Sequence, residues 1–299
     1  MKRIISILLV VSMLFSFAVT SFAAGIGEND VLRFRRNGTF KILVLADVQD
    51  VYPIEPSMLT FIEEALDYSD PDLVVFDGDN IVSEDVRAYE QLLTPLAERD
   101  VPFTFVFGNH DVERENFTAE QQLAEYQKYE GCLAYDADPA LHGCANHNLL
   151  IYSSKGNDIA FNLWMFDSGT SMHDENGEWL GYDWVRADQI EWYNTTRDAI
   201  TAKNDGKIVP SIAFQHIIPK EAVEVLFYET DTSMGELTYN FNDGGIYSYV
   251  PKIDKFDGYI FEKSCSGNGS DGQWDAMLAG GDVLAVVVGH DHVNSFVAD

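Results

Sequence analysis

Residues 102–111 read PFTFVFGNHD. An unbroken apolar run stops at a glycine, and an amide, an imidazole and a carboxylate come at once after it. The same grammar occurs twice upstream, in DLVVFDGD at 72–79 and FKILVLAD at 40–47. Between these runs, Pro56–Tyr68 sets Met58, Phe61, Ile62, Ala65 and Leu66 at helical spacing, and Val86–Arg99 turns Leu92, Leu93, Leu96 and Ala97 to one side. The order is strand, helix, strand, helix, strand. Apolar strands without alternation, joined by amphipathic helices, predict a parallel sheet buried on both faces.

Further along, Thr118–Glu130 reads as a helix. Asn148–Ser153 and Asp158–Asp167 read as a hairpin around Lys155-Gly156-Asn157, and Trp184–Ala202 as a long helix. Ile208–Gln215 is a strand that stops at His216, and Lys220–Tyr228 a short helix. Val283–Val288 is a buried strand that stops at Gly289-His290. The segment 229–281 is rich in Gly, Asn, Asp and Ser and yields no assignment. Phe296-Val297-Ala298 starts a strand close to Asp299, so the chain is expected to be truncated or unusually short at its C-terminus.

Of the 299 residues, 46% are apolar and 23% charged, which is globular composition. Nineteen Lys and Arg against 49 Asp and Glu give a net charge of −30. Such a surface repels phosphate backbones and anionic lipid, so no nucleic-acid partner and no binding to an anionic membrane surface are expected. Lys2 and Arg3 precede an apolar run, Ile4–Val19, and Ser21-Phe22-Ala23 is a small-x-small cleavage site. The expected organisation is a signal peptide, 1–23, and one domain, 24–299, that is exported to the outside or the cell envelope, with no stable membrane insertion after cleavage. Cys132 and Cys144 could close a small disulfide loop; Cys265 then reads as a small buried hydrophobe. No CxxC pair occurs, which removes zinc-ribbon and thioredoxin chemistry.

The chemistry lies in the residues just past each strand: Asp47-Val48-Gln49, Gly78-Asp79-Asn80, Gly108-Asn109-His110-Asp111, His216, and Gly289-His290-Asp291-His292. Asp47, Asp79 and Asn109 are spaced by roughly 30 residues, one crossover unit each, so their loops should lie side by side at the carboxyl ends of the strands. Carboxylate, amide and imidazole without thiolate suit Mn, Fe or Zn. Two such ions about 3.5–4 Å apart can clamp both oxygens of a phosphoryl displacement. A ligand shared between them must be anionic, and Asp79 is the natural candidate. His142, His147 and His173 fall in irregular segments and read as solvated, as do Glu113, Glu115 and Glu120.

In this order the motifs resemble those of the calcineurin-like metallophosphoesterases, most of all the secreted branch related to purple acid phosphatases. Gln189-Ile190-Glu191-Trp192, Phe214–Pro219 (FQHIIP) and Gly289–Asn294 (GHDHVN) add to the likeness. The resemblance implies an α/β (α+β) chain folded as a four-layer α/β/β/α sandwich, two mixed sheets flanked by helices. It implies two divalent ions, with Mn first and Fe, Zn or Mg as alternatives. Asp47, Asp79 and His292 would hold one ion, and Asp79, Asn109, His216 and His290 the other. Gln49 stands where the family usually has His and would reach the first ion through its amide oxygen. A metal-bridging hydroxide would attack a small phosphate mono- or diester, His110 would assist the leaving oxygen, and Asp111 would orient His110. Val82 and its neighbours offer no tyrosine beside Asp79, so purple iron is not expected. The alternative is a weak or inactive phosphate- or nucleotide-binding relative, owing to Gln49.

Overall fold

The computed structural model describes residues 32–114, 116–230, 236–239, 246–261 and 264–298. The expected signal peptide lies outside them. In chain order the elements are β1 (Ile42–Leu45), α1 (Pro56–Ser69), β2 (Leu73–Asp77), α2 (Arg87–Ala97), β3 (Phe103–Val106), α3 (Ala119–Tyr126), β4 (His147–Tyr152), β5 (Ile159–Met165), β6 (Ser171–His173), β7 (Trp179–Tyr182), α4 (Ala187–Lys203), β8 (Ser211–Phe214), α5 (Lys220–Leu226), β9 (Phe227–Thr230), β10 (Glu236–Tyr239), β11 (Ile246–Pro251), β12 (Phe256–Tyr259), α6 (Gln273–Gly280), β13 (Val283–Val287) and β14 (Ser295–Ala298).

β1, β2 and β3 form a parallel sheet with β2 central. The reason lies in the period-2 geometry of a strand whose residues are all apolar. Val74 and Phe76 of β2 point to one face, where they meet Ile62 and Leu66 of α1 and Leu92, Leu93 and Leu96 of α2. Leu73 and Val75 point to the other face and meet Leu149, Ile151, Leu163, Met165 and Phe214 of a second sheet. That sheet runs β13-β8-β5-β4; β5, β8 and β13 are parallel and β4 is antiparallel. Its outer face carries Trp164 and Ala213 against Ile190, Tyr193 and Ile200 of α4. Helix, sheet, sheet, helix is the expected four-layer sandwich. Each fully buried Leu, Ile or Phe in these layers contributes on the order of 1.5–3 kcal/mol.

α1 starts on Pro56, whose missing N–H costs nothing in a first turn, and stops at Asp70, a left-handed residue (φ 46°) whose N–H caps Leu66 O. Thr118 caps α3 through a reciprocal bond pair with Gln121.

Six expectations are corrected. Ala97, read as facing the core from α2, and Cys265, read as buried, are both exposed. Phe61 points away from the core and is 57% exposed, because the buried stripe of α1 is narrowed to Ile62 and Leu66. Val283–Val288 is not a strand buried on both faces: β13 is the edge of its sheet, and Leu284 is 69% exposed. Cys132 and Cys144 form no disulfide; both thiols sit in the first core, where burial pushes each up to about 12. Within 229–281 the polar composition conceals β9, β10 and β11, an antiparallel sheet, and β12, which pairs with β14. β14 covers the strand expected at Phe296-Val297-Ala298. No helix among the described residues is long and apolar enough to cross a membrane.

Candidate metal centre where two sheets meet

Every strand end named from the sequence opens on one place. Asp47, Gln49, Asp79 and His290 all have left-handed backbones, with φ of 54°, 44°, 52° and 78°. Such residues cost on the order of 1–3 kcal/mol each and concentrate at functional sites. The chain turns sharply as it leaves each strand, and this turn aims the next side chain across the sheet ends.

The side chains form two groups whose candidate ligand atoms lie within 4.8 Å of one another: Asp47, Asp79 and His292, and Asp79, His216 and His290. Asp79 belongs to both. Asp47, Asp79 and Asn109 come from the first sheet, His216 and His290 from the second. His216 Nδ1 donates to Asp77 O at 2.9 Å, which turns Nε2 into the centre, 3.2 Å from Asp79 Oδ2. His216 Nε2, His290 Nε2 and Asn109 Oδ1 are buried without a hydrogen-bond partner. Three orphaned donor atoms beside two carboxylates are what a divalent cation satisfies, so these residues fit the implied metals.

The electrostatics agree. Burial opposes the charge on Asp79, but His216, the His110 amide and the Gln49 amide outweigh it and hold the carboxyl down at about 2. Burial pushes Asp47 up, and so does Asp79, against the pull of His216 and His292. Burial, with His216 close by, pushes His290 down to about 3, the neutral form a metal needs. His216 runs the other way: burial disfavours its charge, but Asp79 and Asp47 overcome that and raise the ring to about 9, a proton that a bound cation would have to displace.

Gln49 lies inside the centre. Its Nε2 donates to Asp79 Oδ2 at 2.7 Å and its backbone N–H to Asp79 O at 2.8 Å. The amide nitrogen, not the oxygen, faces the shared carboxylate. His110 N donates to Asp79 Oδ1 at 2.8 Å. Asp111 does not reach the His110 ring: its buried carboxylate accepts the backbone N–H groups of Asn80 (2.9 Å), Ile81 (3.1 Å) and Gly108 (2.9 Å). It ties two site loops together instead of orienting the imidazole. The residue that meets His110 is Glu113, whose Oε2 is 2.6 Å from Nδ1. Glu113 is therefore not merely a solvated charge. Glu115 lies outside the described residues, and Glu120 is exposed as expected.

Sequence reasoning also missed Tyr182, whose ring stands edge-on to His290 with centroids 4.4 Å apart. Its strand, β7, lies in the polar stretch after the hairpin and carries no motif. Of the three histidines read as solvated, His147 is buried, bonded to Thr104 Oγ1 (2.6 Å) and Ala145 O, and pushed down to about 4 by burial. His142 is bonded to Asp183 at 2.9 Å; His173 is exposed.

Two glycines are dictated by this crowding. A Cβ on Gly108 would lie 2.2 Å from Asp79 Oδ1 and 2.3 Å from Asp79 N, and one on Gly78 would lie 2.4 Å from His216 Nδ1. Gly108→Ala must push Asp79 aside. A lowered melting temperature together with metal affinity at least tenfold weaker is expected by calorimetry; unchanged metal affinity would show that Asp79 is not held as described.

The profile of the family described as Calcineurin-like phosphoesterase matches residues 40–294, and the chain belongs to that family. Among curated proteins it is similar to "Probable inactive purple acid phosphatase 29" of Arabidopsis thaliana, 28% identical over 90% of this chain and 70% of that one. It is similar as well to "Probable inactive purple acid phosphatase 14" of the same plant, at 26% over 90% and 69%. "Phosphatase DCR2" of Saccharomyces cerevisiae is 26% identical over 67% of this chain but only 37% of its own length.

Proposed function

We propose that the chain is an exported, metal-dependent phosphoesterase acting on small phosphate mono- or diesters. The observation that carries this reading is Asp79: one buried carboxylate common to two groups of metal-competent atoms, with unsatisfied imidazole nitrogens aimed beside it. When bound, two divalent ions would polarise the phosphoryl oxygens and supply a hydroxide at neutral pH. Asp47, Asp79 and His292 would hold one ion, and Asp79, Asn109, His216 and His290 the other. His110, next to Asn109 and nearly half exposed, would hand a proton to the leaving oxygen. The net charge of −30 disfavours long polyanions as substrates.

A second reading has a specific observation behind it. With the Gln49 amide nitrogen on Asp79, the Asp47 side of the centre has one donor fewer than a histidine would give. Two of the relatives carry "inactive" in their names. The chain would then bind phosphate esters and turn them over poorly.

Hydrolysis of p-nitrophenyl phosphate by protein dialysed against chelator, with and without Mn²⁺, separates the two. The first reading expects activity to vanish on dialysis and return with Mn²⁺. No hydrolysis at any metal concentration would favour the second. Gln49→His should tighten the more weakly held ion by about 10-fold or more, since imidazole supplies a ligand atom where the amide nitrogen supplies none. Unchanged affinity in a metal titration would place residue 49 outside the coordination shell.

A further inference from the structure

We propose that Glu113 is the positioning residue of His110, fixing the ring so that Nε2 is the atom presented to the leaving oxygen. The inference rests on the phosphoesterase reading. The backbone of His110 is already held: its N–H donates to Asp79 Oδ1 at 2.8 Å and its carbonyl accepts from Arg114 Nη2 at 3.1 Å. Arg114 in turn donates to Ser83 O at 3.0 Å and to Ile81 O, which clamps the loop onto the segment just after Asp79. Only the side-chain torsions of His110 are then left to set.

One carboxylate sets them, 2.6 Å from Nδ1. Asp111, the nearer acid in sequence, is unable to do so because three backbone amides occupy it. A carboxylate accepts only from a protonated ring nitrogen, so Nδ1 carries hydrogen and Nε2 is left for substrate. Both side chains are nearly half exposed, 45% and 42%, at the mouth of the centre and not in the core. Exposed pairs of this kind contribute little to folding, so their removal should leave a folded chain.

In the reaction, the oxygen of the attacking hydroxide forms a bond to phosphorus. The bond from phosphorus to the leaving oxygen breaks and its electron pair stays on that oxygen. The Nε2 proton of the imidazolium passes to that oxygen, and the ring is left neutral with Nδ1–H still on Glu113. The next water to enter returns a proton to Nε2 and is itself the next hydroxide.

The test uses the full chain with Glu113→Ala and Glu113→Gln. Phenyl phosphate, a poor leaving group, and dinitrophenyl phosphate, a good one, are compared under saturating Mn²⁺. Glu113→Ala should lower kcat by about 10–100-fold on phenyl phosphate and by less than about 3-fold on dinitrophenyl phosphate, with metal content unchanged. Glu113→Gln, whose amide oxygen still accepts from Nδ1–H, should recover part of the loss. In a His110→Ala background, Glu113→Ala should cost nothing further. Independently of turnover, ring-nitrogen NMR of the metal-free chain should show His110 protonated at Nδ1 in the parent and a mixed tautomer in Glu113→Ala. Equal losses on both esters, a further loss in the His110→Ala background, loss of metal, or an unchanged tautomer would overturn the assignment. If the parent chain hydrolyses no ester, the phosphoesterase reading fails, and the tautomer comparison still decides what Glu113 does to the ring.

Discussion

Asp79→Asn should abolish turnover, by about 10³-fold or more, and reduce the metal held by the purified chain. The loss of a shared anion between two cations is worth several kcal/mol, and each 1.36 kcal/mol is a factor of ten in rate. Asparagine has the right shape, so the effect is one of charge and donor pattern. Its oxygen can still accept from His110 N, where Oδ1 now does at 2.8 Å. Its amide would then set N–H against the Gln49 Nε2 donor, which is now 2.7 Å from Oδ2. Circular dichroism should show a folded chain, and elemental analysis should show fewer ions per chain. Full metal content with activity close to the parent would rule out a two-ion centre built on Asp79.

His110→Ala should behave in the opposite way toward metal. The ring belongs to neither ligand group, and its own partner is Glu113. Metal content should stay as in the parent while kcat falls by about 10²–10⁴-fold, the range for a lost general acid. A chain that loses its ions on this substitution would make His110 a ligand and leave the leaving group without an acid.

The three apolar runs at 40–46, 72–77 and 102–107 made the first sheet and its helices legible, because nothing but burial on both faces explains strands without alternation. Each of these runs, like the strands before His216 and His290, ends on a hard donor; of the seven candidate ligands read there, Asp47, Asp79, His216, His290 and His292 fall into the two groups of metal-competent atoms, and Gln49 meets Asp79 through its nitrogen. The features that could not be read have a common cause. His147 is satisfied by Thr104, far away in sequence, and a histidine in a polar stretch gives no hint of that. Glu113 lies three residues from His110 in a loop, a spacing that carries no information without a helix to give it direction. Asp111 looks like a partner of its neighbour, yet the chain turns there and its carboxylate is spent on three amides. Leu284 reads as core because edge and interior strands share one composition, and only the absence of a further neighbour among the described strands exposes it. The segments β9 to β12 are too polar for hydrophobic patterning to reveal.

The centre draws Asp47, Asp79 and Asn109 from one sheet and His216 and His290 from the other. Ions bound there would act as rivets between two halves of the chain that are more than a hundred residues apart in sequence. Occupancy then becomes a folding quantity: ligand at 100 times its dissociation constant adds about 2.7 kcal/mol to the native state. A chelated preparation and a loaded one would be, to a protease or a melting curve, two different proteins. A substitution deep in the layer between the sheets could weaken metal binding without touching a single ligand.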